Sequence, residues 1–178
     1  MFRKWDRKSI RIKDYDYSSN GFYFITINSY KGYMIFGDFI DGEIILNEAG
    51  KIAEKYWLEI PKYYPKVTLH NFVVMPNHIH GIIEIKNSYK EEFEKNRFQK
   101  VVSGSIGAIV RGYKTGVTKW FRKNSDIYNV WHKNYYDILI RDDEMFIKIS
   151  NYIEDNPKNW EKETLVDPMD FIKEDFFY

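Results

Sequence analysis

Residues 66–85, KVTLHNFVVMPNHIHGIIEI, hold two strand-forming apolar runs back to back, broken only near Pro76-Asn77. They read as two strands joined near that dipeptide. The second run carries two of the chain's 4 histidines, His78 and His80, with one residue between them. On a strand, residues two apart project from one face, roughly 6.6 Å apart along the chain. His78 and His80 therefore point the same way, and Ile79 points opposite, toward a helix-packed core. Imidazoles do not belong in such a run unless something there uses their nitrogens.

Local signals place the other elements. GFYFITINS (21–29) is aromatic and β-branched, follows Asn20-Gly21, and reads as a strand. Asp41-Gly42, between the apolar runs of YMIFGDFIDGEIILN, marks a tight hairpin. Ile52, Tyr56 and Ile60, four apart, predict an amphipathic helix over 48–60 that ends at Pro61. The polar SYKEEFEKNRF reads as a loop or linker. Ile106, Val110, Tyr113, Val117, Trp120 and Phe121 give 105–123 a single apolar helical face. VWHKNYYDILI (130–140) reads as a strand. RDDEMFIKISNYIEDNP reads as a helix with acids at its amino end that halts before Pro157. With the hairpin set aside, the order is β-α-β-β-α-β plus a final helix. This predicts an α+β, ferredoxin-like (RRM-like) antiparallel sheet with helices on one face, an inserted hairpin and a C-terminal helix carrying Tyr152. The chain divides into a basic N-terminal arm (1–20), one domain (21–160) and an acidic, aromatic C-terminal tail (161–178).

The composition excludes several classes. With no cysteine, disulfides and thiolate chemistry are out, and a reducing cytoplasm is the expected compartment. No stretch approaches the ~20 apolar residues of a spanning helix, so no membrane partner is expected. Charge is almost balanced, 27 basic against 26 acidic residues, so any mark of a nucleic-acid partner lies in its distribution. Arg3, Lys4, Arg7, Lys8 and Arg11 crowd the arm. No acid falls between Lys95 and Ser125, where Arg111, Lys114 and Arg122 lie off the apolar helical face. Such one-signed charge is the footprint of a phosphate backbone, and equally that of a solvated helix face. The aromatic share of 19% serves either a core or stacking on unpaired bases.

The residues that could carry chemistry stay ambiguous one by one. His78 and His80 fit a surface pair, hydrogen-bonded core residues, or two ligands of one divalent ion. As ligands they are too few for a closed structural zinc site and suit an open catalytic one. Tyr152 and Asn156 stand four apart and share a helical face. A tyrosine there can pack on the core, or its phenol can attack a phosphodiester. With an ordinary pKa near 10, a phenol needs help from a metal or base at neutral pH. Asn156 can stop a helix before Pro157, or offer a hard amide oxygen to Mg²⁺ or Mn²⁺.

Taken together, KSIRIKDYDYSSNGFYFITINS, FVVMPNHIHGIIEI and VWHKNYYDILIRDDEMFIKISNYIEDNPKNW, in that order, resemble the single-tyrosine HUH transposases of the IS200-like class. The REP-associated tyrosine transposases are the nearest branch. The resemblance covers roughly residues 8–160, and MPNHIHG followed by YIEDNP carries most of its specificity. It implies that His78 and His80 hold a divalent metal, Mg²⁺ or Mn²⁺, and that Tyr152 is the nucleophile. Asn156 takes the position from which related enzymes supply a third ligand, often glutamine. The implied activity is nicking and rejoining of single-stranded, hairpin-forming DNA through a 5′-phosphotyrosine, by a monomer or a homodimer. Competing readings are a domesticated hairpin-binding protein that nicks without transposing, a non-catalytic nucleic-acid module, and a hydrolase that forms no covalent adduct.

Overall fold

The structure, a computed structural model, describes residues 19–86 and 104–160. The arm residues Arg3, Lys4, Arg7, Lys8 and Arg11, the expected loop around 88–98, and the acidic tail lie outside the described residues. In chain order the elements are β1 (Gly21–Asn28), β2 (Gly37–Ile40), β3 (Glu43–Leu46), α1 (Glu48–Leu58), α2 (Ile60–Tyr63), β4 (Val67–Val74), β5 (His78–Ile85), α3 (Ile106–Asn124), β6 (Tyr136–Ile140) and α4 (Asp143–Asp155). β1, β4, β5 and β6 form one sheet in the order β4-β5-β1-β6, every pairing antiparallel. β2 and β3 make the inserted hairpin, and its turn takes positive φ at Asp41 (52°) and Gly42 (86°). That is the mirror-image turn that the Asp-Gly pair favours.

Alternation along the central strands sorts two cores. Tyr23, Ile25 and Ile27 of β1 and Ile79, Ile83 and Ile85 of β5 pack with residues of α1 and α3. Phe24, Ile82, Ile138 and Ile140 pack on the other face with Ile149 and Ile153 of α4. The expected α+β, ferredoxin-like sheet is present: α1 and α3 cover one face, and the additional C-terminal helix lies across the opposite one. Because β1 and β5 are covered on both sides, they read as nearly unbroken apolar runs. Side-chain caps fix where the helices start. Asn47 accepts from Gly50 N–H at 3.0 Å, Ser105 from Ala108 N–H at 3.3 Å, and Asp142 from Met145 N–H at 2.8 Å.

β4 contains a bulge. Its register against β5 runs Leu69↔Ile83 and then Phe72↔Gly81, so β4 holds one residue more than its partner there. Val67 and Leu69 face α1 before the bulge, and Phe72 and Val74 do so after it. The bulge thus swaps odd for even positions without turning the apolar row away from the core. It also leaves two consecutive polar residues, His70 and Asn71, facing α4. His70 meets the Phe146 ring at 5.4 Å, and Asn71 donates to the Glu154 carboxylate.

Two elements differ from the sequence expectation. Pro61 does not end the helical run. α1 stops at Leu58, and Pro61 sits in the first turn of α2, where its missing N–H costs nothing. The strand expected over 130–140 forms only over Tyr136–Ile140. Before it, Trp131 keeps a single antiparallel bridge to Ser29, and the chain then leaves the ladder for α3, where the Lys114 ammonium donates to the carbonyls of His132 (2.9 Å) and Asn134 (3.0 Å). Trp131 Nε1–H in turn donates to the Lys114 carbonyl at 3.2 Å. Among the described residues no helix is long and apolar enough to cross a membrane.

Gly81, next after the histidine pair, faces α1 at a distance no side chain tolerates. A Cβ there would stand 2.4 Å from the Trp57 indole, which is fully buried. Gly81→Ala should therefore force Trp57 outward and cost roughly 1–3 kcal/mol, the usual penalty of an overpacked core. Urea unfolding followed by tryptophan fluorescence would register it as a lower midpoint.

Candidate active site

Tyr152 and Asn156, one helical turn apart, approach the same end of β5 that carries His78 and His80. The two imidazole rings lie 4.4 Å apart, centroid to centroid, at 65°. The Tyr152 ring lies 5.3 Å from that of His80, and its Oη is 3.3 Å from His80 Nε2. Asn156 is 1% exposed, and its side chain bears on His78. Phe24 stacks against His80 at 5.2 Å, and Trp160 stacks against His78 at 6.1 Å.

Backbone register and neighbouring side chains orient both imidazoles. Thr26 pairs with His80 across β1 and β5, and its Oγ1 lies 2.9 Å from His80 Nδ1. Asn77 Oδ1 lies 2.6 Å from His78 Nδ1. A carboxamide oxygen only accepts, so His78 Nδ1 carries the proton and Nε2 keeps its lone pair. On each ring Nδ1 is thus taken up by the protein. On His80 the nitrogen left over faces Tyr152. On His78 it is buried, and the Asn156 side chain also bears on this ring.

Burial keeps both rings neutral. It lowers the pKa of His78 from 6.5 to about 4, offset in part by the Asn156 side chain. It holds His80 well below 6.5, with the neighbouring His78 adding to the effect. Among the described residues no three of His, Cys, Asp and Glu converge on a metal position. Two neutral imidazoles with oriented Nε2 atoms nonetheless fit a divalent ion, since a ligating histidine must be deprotonated and held by its other nitrogen. The 3.3 Å between Tyr152 Oη and His80 Nε2 is long for a hydrogen bond. The residues present fit the group: His78 and His80 would hold it, with Asn156 as the neutral oxygen donor.

The placement of Tyr152 depends on how α4 is moored to the sheet. Ile149 and Ile153 sink into the core, Phe146 meets the edge of Phe22 at 5.2 Å, and Glu154 receives Asn71 from the β4 bulge. Of the residues singled out by sequence, the structure gathers His78, His80, Tyr152 and Asn156. It does not bring Arg111, Lys114 and Arg122 to them, because these stand on α3, across the sheet. Thr26, Asn77 and Trp160 also belong to the site and escaped the sequence reading. Asn77 was legible as a polar neighbour of His78. Thr26 and Trp160 become visible only through strand register and the fold of the chain after α4.

Two buried neutral histidines should make the protein acid-sensitive. Their folded pKa values lie below the unfolded value near 6.5, so their contribution is intact above that pH and lost as pH falls toward the folded value. For His78 the loss should reach on the order of 3 kcal/mol at pH 4. Chemical unfolding in chelator-containing buffer between pH 7 and pH 4 measures it, and His78→Gln should flatten the curve over that window.

No family model matches the chain. An uncharacterized protein of Haemophilus influenzae is 44% identical over 166 residues, spanning 89% of this chain and 92% of that protein. A solved structure of a REP-associated tyrosine transposase bound to a REP hairpin superposes with a TM-score of 0.56 at 15% identity. The match covers 88% of this chain and 73% of that one, and it establishes likeness of fold. The chain therefore belongs to one family with the Haemophilus influenzae protein, and that family has the fold of the REP-associated tyrosine transposase.

Proposed function

We propose that the protein is a tyrosine transposase that nicks and rejoins single-stranded, hairpin-forming DNA through a covalent link to Tyr152. One observation carries this reading: the Tyr152 phenol, from the last helix, stands 3.3 Å from Nε2 of one member of a histidine pair on a central strand. The fold neighbour was bound to a REP hairpin, which favours hairpin DNA as the substrate class here too. A single copy of the chain supplies His78, His80, Tyr152 and Asn156, so a monomer suffices for the chemistry.

His80, braced by Thr26 and Phe24, and His78, braced by Asn77 and Trp160, form a rigid neutral wall to the site. A divalent ion, Mg²⁺ or Mn²⁺, held by His78, His80 and Asn156 would supply Lewis acidity toward a phosphate oxygen and ease ionisation of the phenol. Tyr152 Oη then forms a bond to phosphorus as the bond from phosphorus to the 3′-oxygen breaks. The phenolic proton is released to solvent, and the departing oxygen takes one up to become a 3′-hydroxyl. The 5′ end stays on Tyr152 as a phosphotyrosine. That ester keeps the energy of the broken link, so attack by a 3′-hydroxyl on the same phosphorus restores a phosphodiester and frees the tyrosine. Asn156, fixed one turn from Tyr152, ties the metal-binding and nucleophilic groups to one rigid helix.

The test is a hairpin oligonucleotide from DNA flanking the gene, labelled at its 3′ end and incubated with Mn²⁺. Wild-type protein should yield a labelled protein–DNA adduct on a denaturing gel. Tyr152→Phe should give none while still binding the hairpin, and His78→Ala should reduce the adduct to background. Normal nicking by Tyr152→Phe would exclude the tyrosine mechanism, and nicking without an adduct would indicate hydrolysis by water.

A further inference from the structure

The outer face of α3 forms a groove of about 420 Å³ that takes no part in the site just described. Arg111, Lys114, Lys119, Arg122, Lys133 and Tyr135 line it, and among the described residues no acid does. Arg111, Lys119, Arg122 and Lys133 are exposed. Lys114 is half-buried, and its ammonium ties down the segment that brings Lys133 and Tyr135 alongside the helix. Arg111, Lys114, Lys119 and Arg122 stand at intervals of three, five and three, forming a band that flanks the groove for about 16 Å of α3 at a rise of 1.5 Å per residue. Five cations converge on a protein whose total charge is only +1.

We propose that this groove is a second nucleic-acid site, which takes the phosphate backbone of a duplex stem. The band is carried on a rigid helix and matches about five backbone steps at the 3.4 Å per-strand rise of duplex DNA. Among the described residues Tyr135 is the one aromatic in its lining, and these residues offer no series of the stacking faces that single-strand binders use. Cations in a row, without a base-reading set, position a duplex rather than read its sequence.

The topology joins the groove to the histidine pair around one edge of the sheet. β6 is the edge strand on that side, and the segment leading into it forms one wall of the groove. Tyr135 lines the groove, while the next residue, Tyr136, pairs with Thr26 and packs with the α4 core on the opposite face. A stem seated on α3 would deliver the strand leaving its base around β6 to the face that holds His80. The groove thus deepens the proposed function by locating the paired part of the substrate, yet its occupancy can be tested without any chemistry.

The full-length protein with Arg111→Gln, Lys119→Gln and Arg122→Gln combined leaves Lys114 and the buried face of α3 intact. Fluorescence anisotropy would compare its affinity for a DNA hairpin of arbitrary sequence, with a single-stranded 5′ extension, against an unpaired oligonucleotide of equal length. The expected result is at least about a tenfold loss for the hairpin, a salt slope shallower by roughly 2–3, and little change for the unpaired strand. Unchanged hairpin affinity and salt slope would overturn the proposal. An equal loss on both probes would overturn the assignment to a duplex, and, with an RNA hairpin as a third probe, a loss confined to that probe would overturn the assignment to DNA. A normal circular dichroism melt for the variant establishes that it folds. Covalent adduct formation by the wild-type protein, assayed separately, reports the tyrosine mechanism, so failure of the groove and failure of that mechanism are distinguishable.

Discussion

The antiparallel register of β1 against β5 is the constraint on which the rest depends. It sets Thr26 opposite His80 and Asn28 opposite His78. It also decides which residues of both strands share a face. Odd positions turn toward α1 and α3, and even positions turn toward α4. A slip of one residue would exchange Ile79 and Ile83 for the imidazoles and put two polar rings into the larger core. Burial of both faces makes that slip costly, so the hydrophobic effect acting on isoleucines holds the histidines in place.

Local signals made much of this legible. Asp41-Gly42 announced its hairpin, the apolar face of α3 announced its helix, and the alternation around Ile79 put both histidines on one side. What local signals cannot carry was lost. The β4 bulge leaves no mark in KVTLHNFVV, because its cause is a fit between β4, β5 and α4. The irregular path before β6 follows from Lys114 capturing two carbonyls, a contact made at long range. Pro61 looks like a stop in sequence because its position relative to the start of a second short helix is set by the fold. The meeting of Tyr152 with His80, 72 residues apart, is a property of topology. Sequence periodicity never implied it, and only resemblance to a family suggested it.

Charge and chemistry are kept on different sides of the sheet. The candidate site is built from neutral groups: two imidazoles held uncharged by burial, a phenol and a carboxamide. These protein groups carry no charge of their own with which to attract an anion at long range. The exposed cations of α3 can supply that pull without crowding the histidines or raising the cost of burying them. The near-zero total charge conceals this separation.

The bulge in β4 bears on how the protein can change over time. His70 and Asn71 both face α4 because one strand carries an extra residue, and the apolar rows on either side are in phase only for that count. Loss of a single codon within 67–74 would rotate part of the strand by half a turn, although nearly every side chain would survive. Substitutions here can be absorbed one at a time, whereas changes of length cannot. Lineages of this fold should therefore drift in the composition of this strand while its residue count stays fixed.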